Sequence, residues 1–327
     1  MKMNLIQQGI AAMTATLLIA SSSLAGEPTA TDMVDALNGV FGKHAGARAS
    51  HAKGFCAQGS FIPASNASKF TKAKLLGEKS LTATMRFSIG GGNPAASDKS
   101  RSVRGLAVRL SGVEETYDLA LISEPVFFAS TPASFVSFLD ARRPDSATKK
   151  PDPAKIEAHN HNFPEGKLQP SLLAAHPAPA SYGSTPYYSN HAFKFVDSHG
   201  GETWARLVAE PTSGTHYLTA EEEKSLPDSF LETELKARLE KEPVTFDLYA
   251  QPKGDHDSIT DPASTWSGKP AKITMGHLII ERITGQSCDS DVLVPTNLPV
   301  GIEASDDPIL KMRGVAYAVS KSRRSPY

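Results

Sequence analysis

Residues 81–88 read Leu-Thr-Ala-Thr-Met-Arg-Phe-Ser, so Leu81, Ala83, Met85 and Phe87 alternate with Thr82, Thr84, Arg86 and Ser88. A period of two is that of an extended chain with one buried face. The stretch is a half-buried strand of an antiparallel sheet, and Arg86 and Ser88 share its polar face. Working outward, residues 103–110 and 117–122 are further apolar-rich strands. Residues 191–196 and 203–208 flank Asp197-Ser-His-Gly-Gly201, a hairpin signature. Residues 244–251 and 273–283 complete the strand pattern.

Helices are marked by caps and by helical spacing. Thr31 is placed to cap a helix carrying Met33, Leu37, Val40 and Phe41. Thr131 precedes a proline in the first helical position of a second helix. Residues 145–190, rich in Pro, Ala, Ser and His, predict long loops with short helices. Residues 219–241 predict a helical pair broken at Pro227, and residues 306–319 a terminal helix. Strands in early and late runs, with helices between and after them, imply an α+β fold. The pattern alone gives an antiparallel sheet, open or closed.

The 327 residues are 40% hydrophobic and 21% charged, with a formal net charge of −1. That is the composition of a globular protein, with no basic bias toward nucleic acid or an anionic membrane surface. Residues 1–25 carry Lys2 as their only charge, then an apolar run over 10–20 and Ser23-Leu24-Ala25. This predicts a secretory signal peptide cleaved after Ala25 and a mature unit of residues 26–327. The apolar run is shorter than the roughly 20 residues of a membrane span, so no stable anchor is expected. Export implies a secreted protein, periplasmic in a Gram-negative source. Cys56 and Cys288 are the two cysteines. Cys56 falls in a strand-like run that suits a small buried apolar side chain, so the pair is expected to be unbonded.

Two segments carry chemistry. Residues 313–317 read Arg-Gly-Val-Ala-Tyr, followed by Arg323-Arg324. Four residues apart on a helix, Arg313 and Tyr317 share a face. A guanidinium beside a phenol favours the phenolate, a hard oxygen ligand for ferric iron. Residues 48–61 read Arg-Ala-Ser-His-Ala-Lys-Gly-Phe-Cys-Ala-Gln-Gly-Ser-Phe. This resembles the distal haem segment of the catalases, and Asp307–Leu310 with 313–317 resembles their haem-ligand helix. Met85–Ser88, Asp98-x-x-Arg101-x-x-Arg104-Gly105, Pro125–Phe128 and Gly301–Ser305 are similar to further catalase blocks. Together they span about residues 40–324. The chain is identified as a member of the catalase superfamily, similar to its catalase-related peroxidases.

The resemblance implies an eight-stranded antiparallel β-barrel with surrounding helices, and haem b (iron protoporphyrin IX) buried against it. His51 would be the distal acid–base and Ser88 the hydroxyl that orients it. Tyr317 would bind the iron, with Arg313 beside it. Arg48, Arg86 and Arg324 would hold the haem carboxylates, and Phe127 and Phe135 would pack the pocket. Where catalases carry an asparagine that orients peroxide, this sequence has Ile122, which forms no hydrogen bond. That favours peroxidase turnover of hydrogen peroxide with a small organic electron donor over disproportionation. Ten residues follow Tyr317, and the wrapping segments of catalases are not seen, so a monomer or dimer is expected. Two other readings stand beside this one: an enzyme acting on lipid hydroperoxides, as allene oxide synthases do, and a barrel that holds haem without turnover. His159-Asn-His161 lacks the flanking ligands of a zinc site, and Gly90-Gly-Gly92 is a turn rather than a phosphate loop.

Overall fold

A computed structural model describes residues 26–269 and 271–324. The expected signal peptide lies outside the described residues. Ten strands are described: β1 (Gly54–Pro63), β2 (Leu81–Ile89), β3 (Arg104–Ser111), β4 (Thr116–Ile122), β5 (Tyr187–Tyr188), β6 (Phe193–Val196), β7 (Glu202–Pro211), β8 (Val244–Pro252), β9 (Ile273–Gly285) and β10 (Ile302–Ala304). Neighbours pair antiparallel in the order β4-β3-β2-β1-β9-β8, β8 also pairs with β7, and the two-residue β5 bridges β7 to β4. These eight strands therefore close into a barrel, which removes every edge but those of the outlying β6 and β10. The hairpin at 197–201 joins β6 to β7 as its sequence predicts.

The alternation over residues 81–88 sets the barrel interior. Leu81, Ala83, Met85 and Phe87 are buried with Phe61, Leu106, Val108, Phe246 and Leu278 in one continuous core. Full burial of a side chain such as Met85 or Phe87 contributes about 1.5–3 kcal/mol. The opposite face of β2 is not uniformly wet. Thr82 is exposed, but Arg86 and Ser88 are buried, because the chain folds back over this end of the strand.

Among the described residues eight α-helices accompany the barrel: α1 (Ala30–Phe41), α2 (Ala67–Phe70), α3 (Pro132–Arg142), α4 (Pro153–Asn162), α5 (Leu168–Ala174), α6 (Ala220–Ser225), α7 (Leu231–Leu239) and α8 (Pro308–Arg324). Thr131 caps α3 through Ser134, with Pro132 in its first turn, as expected. The cap of α1 is Thr29 rather than Thr31. Thr29 and Asp32 satisfy each other's backbone N–H groups, a pairing that needs three residues' separation. Helices α1, α3 and α8 pack on one another around a second apolar cluster of Met33, Ala36, Phe135, Leu139 and Ile309. No helix among the described residues is long and apolar enough to cross a membrane.

The cysteine expectation is wrong: Cys56 and Cys288 form a disulfide, with Cα atoms 5.8 Å apart. Cys56 pairs with Gly285 across β9, and the turn that follows folds Cys288 back over β1. Both are buried. Pairing of β1 with β9 brings together two cysteines 232 positions apart in sequence, which composition and local pattern do not reveal.

Candidate active site

A cavity of about 620 Å³ opens where β2, β3 and β4 meet α1, α3 and α8. Cofactor pockets fall in the range of roughly 300–1,000 Å³. All nine residues expected at a haem site line it: Arg48, His51, Arg86, Ser88, Phe127, Phe135, Arg313, Tyr317 and Arg324. Phe127 and Phe135 stack at 6.2 Å between centroids and form part of the aromatic wall.

His51 stands on the loop just before β1, with a φ of 54°. That left-handed backbone costs a non-glycine residue roughly 1–2 kcal/mol and aims the ring at β2. The loop is fixed by Arg86, which donates to the carbonyls of His51 at 2.9 Å and Ala52 at 3.3 Å. Ser88 Oγ lies 2.9 Å from His51 Nδ1. Gly105 sits opposite Ser88 in the β2–β3 register. A Cβ there would fall 2.6 Å from Ser88 Oγ and 2.7 Å from His51 Nδ1, so only glycine leaves room for the pair. The His51 ring keeps some surface toward the cavity but is otherwise enclosed by protein. Burial, then the positive charges of Arg86, Arg313 and Arg48, push its pKa down to about 3. The imidazole is therefore neutral across the physiological range, with a lone pair available to take a proton.

Helix α8 supplies another wall. Arg313, Ala316, Tyr317, Ser320 and Arg324 all line the cavity, at the three- and four-residue spacing of one helix face. Arg313 Nε donates to Tyr317 Oη at 3.0 Å, and its Nη2 also donates to that oxygen. The phenol oxygen is an acceptor toward Arg313. Ser320 Oγ accepts from the Ala49 N–H at 3.1 Å, tying α8 to the His51 loop.

The start of α8 is held by residues that sequence reasoning passed over. Asp307 Oδ1 accepts from the N–H groups of Ile309 at 2.8 Å and Leu310 at 3.1 Å. Its Oδ2 lies 2.6 Å from His191 Nδ1, and both side chains are buried. Burial lowers the His191 pKa, Asp307 opposes that, and Arg313 adds to it. Asp307-Pro308 is a legible helix start. His191, at the head of a strand and 116 residues away, gave no local signal.

Arg48, Arg86 and Arg324 converge on the segment after β9. Arg48 Nη2 donates to the carbonyls of Asp289 at 3.1 Å and Asp291 at 3.2 Å. Arg86 Nε donates to Asp289 Oδ1 at 3.3 Å, and Arg324 Nη2 to the Asp289 carbonyl at 3.3 Å. Arg48 and Arg86 thus share one carboxylate that is itself 45% exposed, while Arg324 reaches the carbonyl of the same residue. Burial and the charges of Arg86 and Arg324 push the Arg48 pKa down to about 10. This surplus positive charge at the cavity wall suits a ligand bearing carboxylates. An apolar cavity with a carboxylate cradle, a phenol oxygen and a neutral imidazole fits haem.

Other expected features resolve as structure. Lys53 pairs with Asp98 at 2.7 Å, and Arg104 is spent on the carbonyls of Asp98, Ser100 and Ser102. His159 is buried on α4 against Ser137. No cluster of three His, Cys, Asp or Glu that could hold a metal occurs among the described residues.

The family model for catalase matches residues 31–326. The chain belongs to the catalase family. It is 33% identical over 321 residues to a catalase-related peroxidase of Synechococcus elongatus, covering 97% of this chain and 95% of that one. It is 34% identical to a catalase-related peroxidase of Mycolicibacterium paratuberculosis, covering 92% and 96%. Its fold is that of a solved fungal catalase, with a TM-score of 0.77 at 21% identity over 86% of this chain. The match covers 60% of that catalase, whereas the two peroxidases are matched almost end to end. As a member of the catalase family this chain takes haem.

Proposed function

We propose that this catalase-family protein is a haem peroxidase that reduces hydrogen peroxide with an organic electron donor. The observation that carries the reading is the shared cavity. It places the His51–Ser88 pair, the Arg313–Tyr317 pair and the three-arginine cradle around one apolar space. Its likeness along nearly the whole chain to proteins named catalase-related peroxidase supports the same reading.

When bound, haem would supply the iron and the redox chemistry of peroxide reduction. Tyr317 would bind the iron, and Arg313 holds its oxygen in place. Arg48, Arg86 and Arg324 bind the haem carboxylates. His51 takes the proton from the near oxygen of peroxide and returns it to the far one, which leaves as water. Ser88 fixes the ring's orientation during that transfer. Ile122, buried in the cavity wall where it presents only carbon, offers a second peroxide nothing to bind. Disproportionation is therefore slow relative to donor oxidation. The N-terminal signal pattern supports export from the cytoplasm, so the donor in this reading is a small molecule that reaches the cavity from outside.

The test is an absorption spectrum of the haem-loaded protein followed by peroxide with and without a phenolic dye. A ferric Soret band and dye oxidation faster than oxygen release support the proposal. Oxygen release that outpaces every donor overturns it in favour of a catalase.

A further inference from the structure

Six arginines line the cavity, Arg48, Arg86, Arg101, Arg142, Arg313 and Arg324, and among the described lining residues there is no Asp, Glu or Lys. Five of the six have an evident use. Arg48 and Arg86 lie against the Asp289 carboxylate and Arg324 against its carbonyl. Arg313 holds Tyr317. Arg101 grips Glu223 through bonds of 2.6 and 3.0 Å.

Arg142 is the exception. It closes α3, where its Nη1 donates to the Phe138 carbonyl at 3.1 Å and its Cζ lies 3.5 Å from the Phe138 ring centroid. No acidic side chain pairs with it among the described residues. Half-burial lowers its pKa, and no neighbouring acid offsets that shift. It faces the cavity beside Phe138 and Leu139. A partly desolvated cation without an anion is costly unless something binds there. Haem does not account for it, since its two carboxylates are already matched by the three guanidiniums at Asp289. Arg142 comes from the end of α3, whereas those three come from the loop before β1, from β2 and from α8.

We propose that the organic electron donor is an aromatic carboxylate, its carboxylate held by Arg142 and its ring laid along the phenylalanine wall. This deepens the peroxidase reading and rests on it. Two donor phenols each give up one electron and one proton. Peroxide takes up both electrons and both protons, its O–O bond breaks, and two waters leave. Arg142 offers the planar fork that carboxylates favour, and Phe127, Phe128, Phe135 and Phe138 form a continuous chain of ring contacts for an arene.

The experiment uses the haem-loaded full chain and two donors with one phenol in common, 3-(4-hydroxyphenyl)propanoate and its methyl ester. Wild type is expected to favour the acid by ten-fold or more in kcat/KM. Arg142→Gln should collapse that acid-to-ester ratio, and Arg142→Lys should restore part of it. Calorimetry with 3-phenylpropanoate, which carries no oxidisable phenol, should show binding to wild type at least ten-fold tighter than to Arg142→Gln. Equal ratios in wild type and Arg142→Gln overturn the proposal, as does loss of haem from Arg142→Gln, which would make Arg142 a haem contact. Arg142-dependent binding of 3-phenylpropanoate in a protein that oxidises neither donor keeps the anion site and overturns the peroxidase reading instead.

Discussion

Replacing Asp307 by alanine tests whether the helix that carries Tyr317 is anchored by the residue just before it. One carboxylate oxygen satisfies two of the orphan N–H groups at the start of α8, and the other satisfies the buried His191 ring. Loss of a side-chain cap costs about 0.5–2 kcal/mol. Leaving the His191 nitrogen unpaired in a dry interior adds roughly 1–3 kcal/mol. Asp307→Ala should therefore lower stability by about 1.5–5 kcal/mol in total. Asp307→Asn separates the two parts. Its carbonyl keeps the cap, while its amide meets His191 Nδ1 and is tolerated only if that nitrogen becomes an acceptor. Its cost should be about half that of the alanine. Urea unfolding of both variants, followed by circular dichroism and by the Soret band, measures the difference. A midpoint for Asp307→Ala within about 0.5 kcal/mol of wild type would refute the anchoring role. So would Asp307→Asn and Asp307→Ala being equally damaged, which would leave the cap without a share.

Four further outcomes are expected. Ser88→Ala should leave haem uptake intact and slow the reaction with peroxide by about ten-fold, the worth of roughly one orienting hydrogen bond, measured by stopped-flow absorption at low peroxide. Ile122→Asn should raise oxygen release relative to dye oxidation while costing about 1–3 kcal/mol for burying an amide; an unchanged ratio would remove Ile122 from the specificity argument. Converting Cys56 and Cys288 to alanine should cost about 2–5 kcal/mol, given a closed loop of 232 residues, and should lower haem affinity by loosening Asp289. For pH, native His51 has a pKa of about 3, against roughly 6.5 in the unfolded chain. Between these values the unfolded state holds more protons, so this residue's contribution to stability rises with pH there and is lost as pH falls from 6.5 toward 3. The bimolecular rate with peroxide should be flat from about pH 5 to 8 and decline only below that; a rate that halves near pH 6.5 would show that the ring is not held neutral.

What was legible in the sequence follows the range of the interactions. The alternation over 81–88, the Thr131-Pro132 cap and the Arg313–Tyr317 spacing each act within one element, so the residues that make them lie within a few positions of one another. Closure of the barrel, by contrast, rests on pairing across β7–β8 and on the two-residue β5, which no local pattern announces. Resemblance to a family supplied closure. Periodicity supplied only a sheet. The same limit explains the site residues that were missed. Asp289 is 241 positions from Arg48 and 203 from Arg86, and His191 is 116 from Asp307. Each would be an ordinary surface acid or strand-end histidine if judged by its neighbours in sequence.

The disulfide connects these long-range features. Cys288 is adjacent to Asp289, and Cys56 lies on β1 directly across from Arg86 on β2. Bonding the two cysteines fixes the Asp289 segment over the strand that bears Arg86, and so holds together three guanidiniums that would otherwise repel. A lone carboxylate that is 45% exposed gives only part of the compensation such a cluster needs. The covalent link holds the cluster together without the cofactor, and on the proposed assignment of these arginines the haem carboxylates would complete the neutralisation. That assignment predicts that haem binding and the stability of this corner of the barrel are coupled. Adding haem should raise the unfolding midpoint of the disulfide-free protein by more than it raises that of the wild type.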